Sequence, residues 1–408
     1  MPLQRRDFLM FLTAGGVAAT VRAEPVRQAG RAAADVPRPL AIQRGDPWLE
    51  LNSANLVWNL RQIQARVGGK LVMAVIKANG YGHGLVGVAR ELEKAGVSHF
   101  LVGKLDEARE LRAAGIRSRI LNFGPFGEVD AEDIVRLDIS QNIYADQVAT
   151  LDRVASRLGR RARVHIKVDT GLGRVGVHHE HALEFLERVA ALPTVEIEGV
   201  FTTFTEDADF DPVQLARIRS ICEQASRRGI RTGLRHAASS AAVADFSPGY
   251  EQLDMVRPGI MLYGLYPSEH AEKERKLDLR PVLSLKCRIA YVKTLRPGET
   301  VSYHRVFKAT QPERVATLPV GYSDGLPRVL AGKGSVLISG RRCLLLAISA
   351  NAAIVRLGET PAAIGDEVVF IGTQGSETIP AGEVAELAGS SVYGVVMGMS
   401  ALLPRVFV

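Results

Sequence analysis

The sequence predicts an α/β protein: an N-terminal (β/α)8 TIM-like barrel over residues 48–285, then a C-terminal mostly β domain over residues 286–408. Three observations carry that expectation. Through the first region, short apolar runs alternate with amphipathic stretches, as parallel strands joined by crossover helices do. The number of these units is about eight, which suits a closed barrel better than an open sheet. From residue 286 the rhythm changes to short strand-like runs separated by glycine-containing turns.

The elements follow in order. Leu71–Ile76 has the unbroken apolar pattern of a strand buried on both faces, and Val86–Ala95 follows with helical spacing. Phe100–Val102 is a short strand before the helix Asp106–Ala114, and Ile120–Phe123 is a strand ending at a Gly-Pro turn. Ala149–Gly159 reads as helix, Arg163–Val168 as strand and His181–Leu192 as helix. Ile197–Phe201 is a strand, Pro212–Arg228 a helix with proline at its start, and Leu234–Ala237 and Met255–Val256 are late strands. In the second region Cys287–Leu295, Arg314–Pro319, Ser335–Ile338, Arg342–Ile348, Ala353–Val355 and Glu367–Phe370 read as strands, and Pro380–Leu387 as a helix. No internal repeat interrupts the pattern.

Composition excludes several function classes. Of the 408 residues, 47% are hydrophobic and 23% charged, which is globular composition. Three cysteines support neither a disulfide framework nor a four-cysteine metal site. The net charge of +7 has no long basic run behind it, and no zinc, RNA-binding or helix-turn-helix pattern is present, so nucleic acid is not an expected partner.

The N-terminus reads as an export signal. Arg5-Arg6 precede an apolar run from Phe8 to Val21, and Val21-Arg22-Ala23 has the small residues of a cleavage site. The run is short and Gly/Ala-rich for a membrane span. Residues 1–23 are thus expected to be a signal of the twin-arginine type, residues 24–47 a linker and N-terminal extension, and the mature protein periplasmic without stable membrane insertion. The signal holds a net +2 of the +7.

The sharpest local feature is Ala74–Gly84, AVIKANGYGHG: Lys77 ends an apolar strand, where barrel chemistry sits, and three glycines follow. A lysine there is able to lose its charge and act as a nucleophile or base. The segment closely resembles the cofactor-lysine motif of the alanine racemase family. The resemblance continues through KVDTGLGRVGV (Lys167–Val177), HAASSAA (His236–Ala242) and MVRPGIMLYG (Met255–Gly264). GETVSY (Gly298–Tyr303), PVGYSDGLPR (Pro319–Arg328) and the terminal LPRVFV extend it over residues 48–408.

This resemblance implies a pyridoxal 5′-phosphate (PLP) enzyme that racemises free amino acids through two bases. Lys77 matches the lysine that carries the cofactor and serves one face of Cα. Tyr303 matches the base for the other face, which in the family comes from the partner subunit, so a homodimer with composite sites is implied. Tyr81, Ser240, Gly259 and Ile260 match phosphate contacts. Arg257 matches the arginine facing the pyridine nitrogen, His236 its supporting histidine, and Arg174 a residue that orients the cofactor hydroxyl and the substrate carboxylate. Ala350 takes the place of a methionine whose backbone N–H touches that carboxylate.

Departures from the family pattern bear on function. Thr203 stands where a histidine usually buttresses the tyrosine, Arg356 replaces an acid, and Ala401 replaces a tyrosine that narrows the pocket mouth. The open mouth and the signal resemble broad-specificity periplasmic racemases, so several substrates, longer or basic ones included, are expected. An alanine-specific racemase and a non-catalytic PLP or amino-acid binder are the alternatives. A decarboxylase of the same fold would place an acid at the Arg257 position and a reactive cysteine in the β domain; Cys343 is at no such match and is expected to be structural.

Overall fold

The structure is a computed structural model that describes residues 47–408. The expected signal and the linker up to residue 46 lie outside the described residues. Eight parallel strands close a barrel: Leu71–Val75, His99–Val102, Arg119–Asn122, Ser140–Ile143, Ala162–Asp169, Val195–Phe201, Leu234–His236 and Met255–Val256. Met255 pairs with Leu71, and Gln141 with Val164, so no edge is left open.

Helices pack outside this cylinder with the spacing that the sequence shows. Leu85–Lys94 buries Leu85, Val88, Ala89 and Leu92 on one stripe. Each such leucine contributes about 1.5–3 kcal/mol through burial. The helix stops because Gly96 adopts φ +95°, a conformation costly for a residue with a side chain. Among the described residues no helix is long and apolar enough to cross a membrane.

The strand Ser140–Ile143 escapes the apolar pattern. Ser140, Gln141 and Asn142 are all buried, and polar partners make that tolerable. Gln141 accepts from Asn122 Nδ2 at 2.8 Å and donates to the Gly124 carbonyl at 2.9 Å. A strand whose buried side chains are polar and hydrogen-bonded in this way carries no hydrophobic signature.

The second domain is one long sheet in the spatial order Tyr291–Leu295, Glu313–Leu318, Ala353–Arg356, Arg341–Ile348, Ser335–Ile338, Glu367–Gln374, Leu283–Arg288, Trp48–Leu51, Arg405–Phe407. The expected single run Cys287–Leu295 is two strands, with a break at Ile289-Ala290. Trp48–Leu51, taken from sequence as the start of the barrel region, belongs to this sheet instead. It pairs antiparallel with Leu283–Arg288 and parallel with Arg405–Phe407. The barrel is already closed by eight strands, and the buried Trp48, Leu49 and Leu51 find their partners in the sheet.

Candidate active site

The lysine loop leaves the C-terminal end of the first barrel strand. Ala78, Asn79, Gly80 and Tyr81 have φ of 54°, 55°, 62° and 52°, so three residues with side chains sit in the left-handed region. That costs roughly 1–2 kcal/mol per residue. Glu107 offsets it: its carboxylate accepts from the N–H of Asn79 at 3.0 Å, of Gly103 at 2.9 Å and of Lys104 at 3.2 Å. Asn79 Oδ1 in turn accepts from Leu85 N at 2.9 Å. Arg405, the first residue of the last strand, donates twice to the Gly82 carbonyl, at 3.1 and 2.9 Å, and also reaches the carbonyls of Ser400, Ala401 and Leu403. The C-terminal segment is thereby clamped onto the loop. Gly82 has φ +82°, and a Cβ there would lie 1.9 Å from the Val396 carbonyl oxygen.

Beside the loop lies an anion cradle. Tyr81 is buried and stacks on Tyr263 with ring centroids 5.1 Å apart. A Cβ on Gly259 would sit 2.5 Å from the Tyr81 hydroxyl, so only glycine allows this approach. Ser240 Oγ accepts from Gly259 N at 2.9 Å, and Ile260 follows at the start of a short 3-10 turn. Burial holds the Tyr81 phenol well above its ordinary pKa, so it stays an O–H donor. The four residues expected to contact phosphate are thus brought together.

Arg257 is buried and held by three acceptors. It donates to His236 Nδ1 at 2.7 Å, to the Thr202 carbonyl at 2.9 Å and to the Ala237 carbonyl at 3.0 Å. An arginine has only donors, so His236 Nδ1 accepts and its Nε2 carries the proton. That Nε2–H donates to His165 Nδ1 at 2.9 Å, and His165 Nε2–H faces Glu198 at 3.3 Å. Glu198 also accepts from Ser140 Oγ and lies 3.5 Å from Arg119. Burial alone would raise this carboxyl; the bonds from His165 and Ser140 and the Arg119 charge hold it at about 2. Burial, then Arg257, keeps His236 well below the ordinary histidine range, so it is an uncharged acceptor. The extension to His165 and Glu198 was not read from sequence, although two polar residues in otherwise apolar strands were the available signal.

Cations converge on the barrel mouth. Burial, then the Arg174 charge, pulls Lys77 below its ordinary pKa; Glu107 opposes and Arg257 adds. Lys167, buried, donates weakly to Thr203 Oγ1 at 3.5 Å, and burial with Arg257 and Arg174 brings it to about 7. Arg257 falls to about 9 through burial and Arg174. Lys167 stood inside a recognised motif but had no role assigned to it. Such a cluster favours an anionic occupant and an uncharged lysine amine.

Tyr303 is not brought into this cluster. It is 76% exposed on a turn between Thr300–Val301 and Phe307–Lys308, with Ser302, His304 and Arg305 at positive φ. Ala350 also belongs to the β domain, where its carbonyl accepts from Ser323 N at 3.0 Å and Ser323 Oγ at 2.7 Å. Arg356 pairs with Glu313 at 3.0 Å and lies over the Phe307 ring, on the hairpin that carries Tyr303. The three cysteines are buried and free, Cys343 donating to Thr360 Oγ1 at 3.6 Å. A cavity of about 320 Å³ between barrel and sheet is lined by Asn55, His83, Lys286 and Thr373 but not by Lys77, so it is separate from this chemistry.

The residues at the barrel mouth fit PLP: a tyrosine, serine and glycine cradle for its phosphate, a lysine of lowered pKa for its carbonyl carbon, and a fixed guanidinium for its ring nitrogen. Comparisons with known proteins agree. Residues 51–267 match the alanine racemase N-terminal domain and residues 282–407 its C-terminal domain. An alanine racemase of Desulforamulus reducens is 38% identical over 370 residues, covering 88% of this chain and 98% of the relative. One of Desulfovibrio desulfuricans is 40% identical over 369 residues, with coverage of 88% and 98%. Among solved structures, the alanine racemase of Clostridium difficile 630 superposes with a TM-score of 0.84 at 32% identity, covering 89% of this chain and 95% of the other. That of Bacillus anthracis with bound L-Ala-P gives 0.82 at 30% identity, with coverage of 89% and 95%. The chain belongs to the alanine racemase family and is a PLP-dependent amino-acid racemase.

Proposed function

We propose that the chain interconverts the L and D forms of alanine at a site completed by a second copy of itself. The observation that carries this reading is Lys77, of lowered pKa, at the barrel mouth beside an anion cradle and a pinned guanidinium. Matches to proteins named alanine racemases over 88% of the chain support alanine as substrate. When bound, PLP supplies the electron sink that makes the Cα proton acidic. Tyr81, Ser240, Gly259 and Ile260 hold its phosphate. Arg257, fixed by three acceptors, donates to the ring nitrogen and keeps its own proton. Lys77 Nζ takes or returns the Cα proton on one face. The Tyr303 hydroxyl of a second copy acts on the opposite face, since inversion needs a group on each side. Arg174, with the Ala350 backbone, orients the substrate carboxylate.

The exposure of Tyr303 and of Val306 at 57% supports a homodimer in which this turn inserts into the partner's barrel mouth. The Arg5-Arg6 pair and the apolar run from Phe8 to Val21, which read as an export signal, support a periplasmic address. A second reading, turnover of several amino acids, is favoured by Ala401, which leaves an exposed, unwalled position where Arg405 ties the tail to the lysine loop. Incubation with an amino-acid panel followed by chiral separation tests both. Racemised alanine supports the first reading, and racemised lysine, arginine or methionine adds the second. Retention of the α-proton signal of every amino acid in D₂O would make the protein a binder and refute catalysis.

A further inference from the structure

One charge singled out in the sequence, Arg356, has no part in the mechanism above. It ends the strand Ala353–Arg356, opposite Val315 of the neighbouring strand Glu313–Leu318. Its guanidinium makes two contacts. Nε lies 3.0 Å from Glu313 Oε2, and Cζ lies 5.1 Å from the centre of the Phe307 ring. The Nε–H does not line up with the carboxylate, so the first contact is a charge pair rather than a directed hydrogen bond. The second is within the range of a cation–π attraction. The Glu313 side chain is only 12% exposed, and a carboxylate so placed needs a cation at hand.

Phe307 is where this charge meets the Tyr303 turn. The hairpin has two residue pairs, Thr300 with Lys308 and Val301 with Phe307, and Tyr303 follows Val301 by two residues. A hairpin this short is weak in water without support. Backbone bonds close its base: Gly298 N donates to the Ala309 carbonyl at 2.8 Å, and Ala309 N to the Glu299 carbonyl at 2.9 Å. Nearer the tip, Arg305 Nε donates to Thr300 Oγ1 at 3.3 Å. Val301 and Ala309 are buried in a small cluster with Leu295, Val315, Leu346 and Ala347, and Phe307 packs on its edge. The tip residues Ser302, His304 and Arg305 all have positive φ, a strained state that persists only while its surroundings hold it. Phe307 thus ties the turn to the sheet, and Arg356 lies over Phe307.

We infer that Arg356 is a positioning residue for Tyr303: its guanidinium, anchored by Glu313, clamps Phe307 and so fixes the turn that carries the second base. The inference rests on the two-base reading and goes beyond it, because that reading gives Arg356 no role. Geometry explains why a cation suits this place. A carboxylate here would face both Glu313 and the electron-rich face of Phe307, and both would repel it. Misplacing a reacting group by about 1 Å costs up to about 10²-fold in rate. A turn loosened at one anchor should cost less, about tenfold, and on the Tyr303 face alone.

The test measures α-deuterium uptake from D₂O, starting from each enantiomer of alanine. It compares the wild-type holoenzyme with Arg356→Met, Arg356→Lys, Phe307→Leu and the double variant of Arg356→Met with Phe307→Leu. Tyr303→Phe identifies the face that Tyr303 serves. On that face Arg356→Met and Phe307→Leu should each slow uptake about tenfold, with the Lys77 face within about twofold of wild type. The double variant should be no slower than either single one, since both remove the same contact. Arg356→Lys keeps a charge for Glu313 but loses the flat guanidinium over the ring, so it should fall between wild type and Arg356→Met. Equal slowing on both faces, or additive losses in the double variant, would overturn the inference. So would loss of the dimer in Arg356→Met, seen by sedimentation, because the defect would then lie in assembly. If Arg356→Met does not fold, wild-type rates on the Tyr303 face in both Arg356→Lys and Phe307→Leu overturn it. If Tyr303→Phe slows neither face, the proposed function fails; if it slows one face and the Arg356 and Phe307 variants do not, only the role of Arg356 fails.

Discussion

Replacing Glu198 by Gln removes one charge and keeps the shape. Glu198 lies at the far end of the hydrogen-bonded series that begins at Arg257, with its side chain 15% exposed. In the folded chain its carboxyl titrates at about 2, against an ordinary value of 4.5. A carboxyl with a depressed folded pKa adds stability that is present in full above its unfolded pKa and lost as pH falls through the folded one. Here the window runs from about pH 4.5 down to about pH 2. At 1.36 kcal/mol per pH unit the contribution is roughly 3 kcal/mol at pH 7 and about half of that at pH 3. Glutamine still accepts from His165 but offers no charge to Arg119. Glu198→Gln should therefore lose about 3 kcal/mol at pH 7, and the gap to wild type should narrow as the solution is acidified. Urea unfolding at several pH values and one fixed protein concentration measures it, because a dimer's apparent stability depends on concentration. Equal stability at pH 7, or a deficit that is the same at pH 7 and pH 3, would refute the reasoning.

Four more outcomes are expected. Lys77→Ala should lose the borohydride-reducible PLP adduct and its visible absorbance; persistence of that adduct would remove Lys77 from its role. Tyr303→Phe should keep the adduct and slow proton exchange on one face by about 10²–10⁴, read as α-deuterium uptake starting from each enantiomer. Mixing the Lys77→Ala and Tyr303→Phe proteins under subunit exchange should restore roughly a quarter of wild-type activity if each site draws on both chains, and none if it does not. Gly82→Ala forces a Cβ to 1.9 Å from the Val396 carbonyl at φ +82° and should cost more than about 2 kcal/mol in unfolding; an unchanged melting curve would show that the clamp between tail and loop is slack.

Much of the barrel was legible because its strands are apolar and its helices carry one apolar stripe. Leu71–Val75 and Ala162–Asp169 stand where the sequence placed them, within a residue or two. Ser140–Ile143 was invisible for a physical reason: the buried amide of Gln141 is bonded to Asn122 and Gly124, and that of Asn142 donates to the Phe123 carbonyl, so these positions are filled by polar residues. Trp48–Leu51 was legible as apolar but not as to its sheet, since pairing with Arg405–Phe407 joins residues some 350 positions apart. At the site, Lys77, Tyr81, Ser240, Gly259 and Ile260 were named from motifs and are found in one neighbourhood. His165 and Glu198 were not, because each takes its meaning from a neighbour distant in sequence.

The sequence by itself determined the residue types of the chemistry and their order along the chain: a lysine at a strand end, a glycine where a phenol needs to approach, and an arginine where an acid would imply different chemistry. It also determined the change of rhythm that separates barrel from sheet, since hydrophobic periodicity is local. Tertiary structure alone decided the protonation states and the company of the charges. Burial with Arg174 lowers Lys77, and Arg257 is pinned through two imidazoles to a carboxylate. Tyr303 is left exposed on the other domain. Desolvation and Coulomb energy depend on distances that chain closure sets, and neither can be read from the identity of a residue.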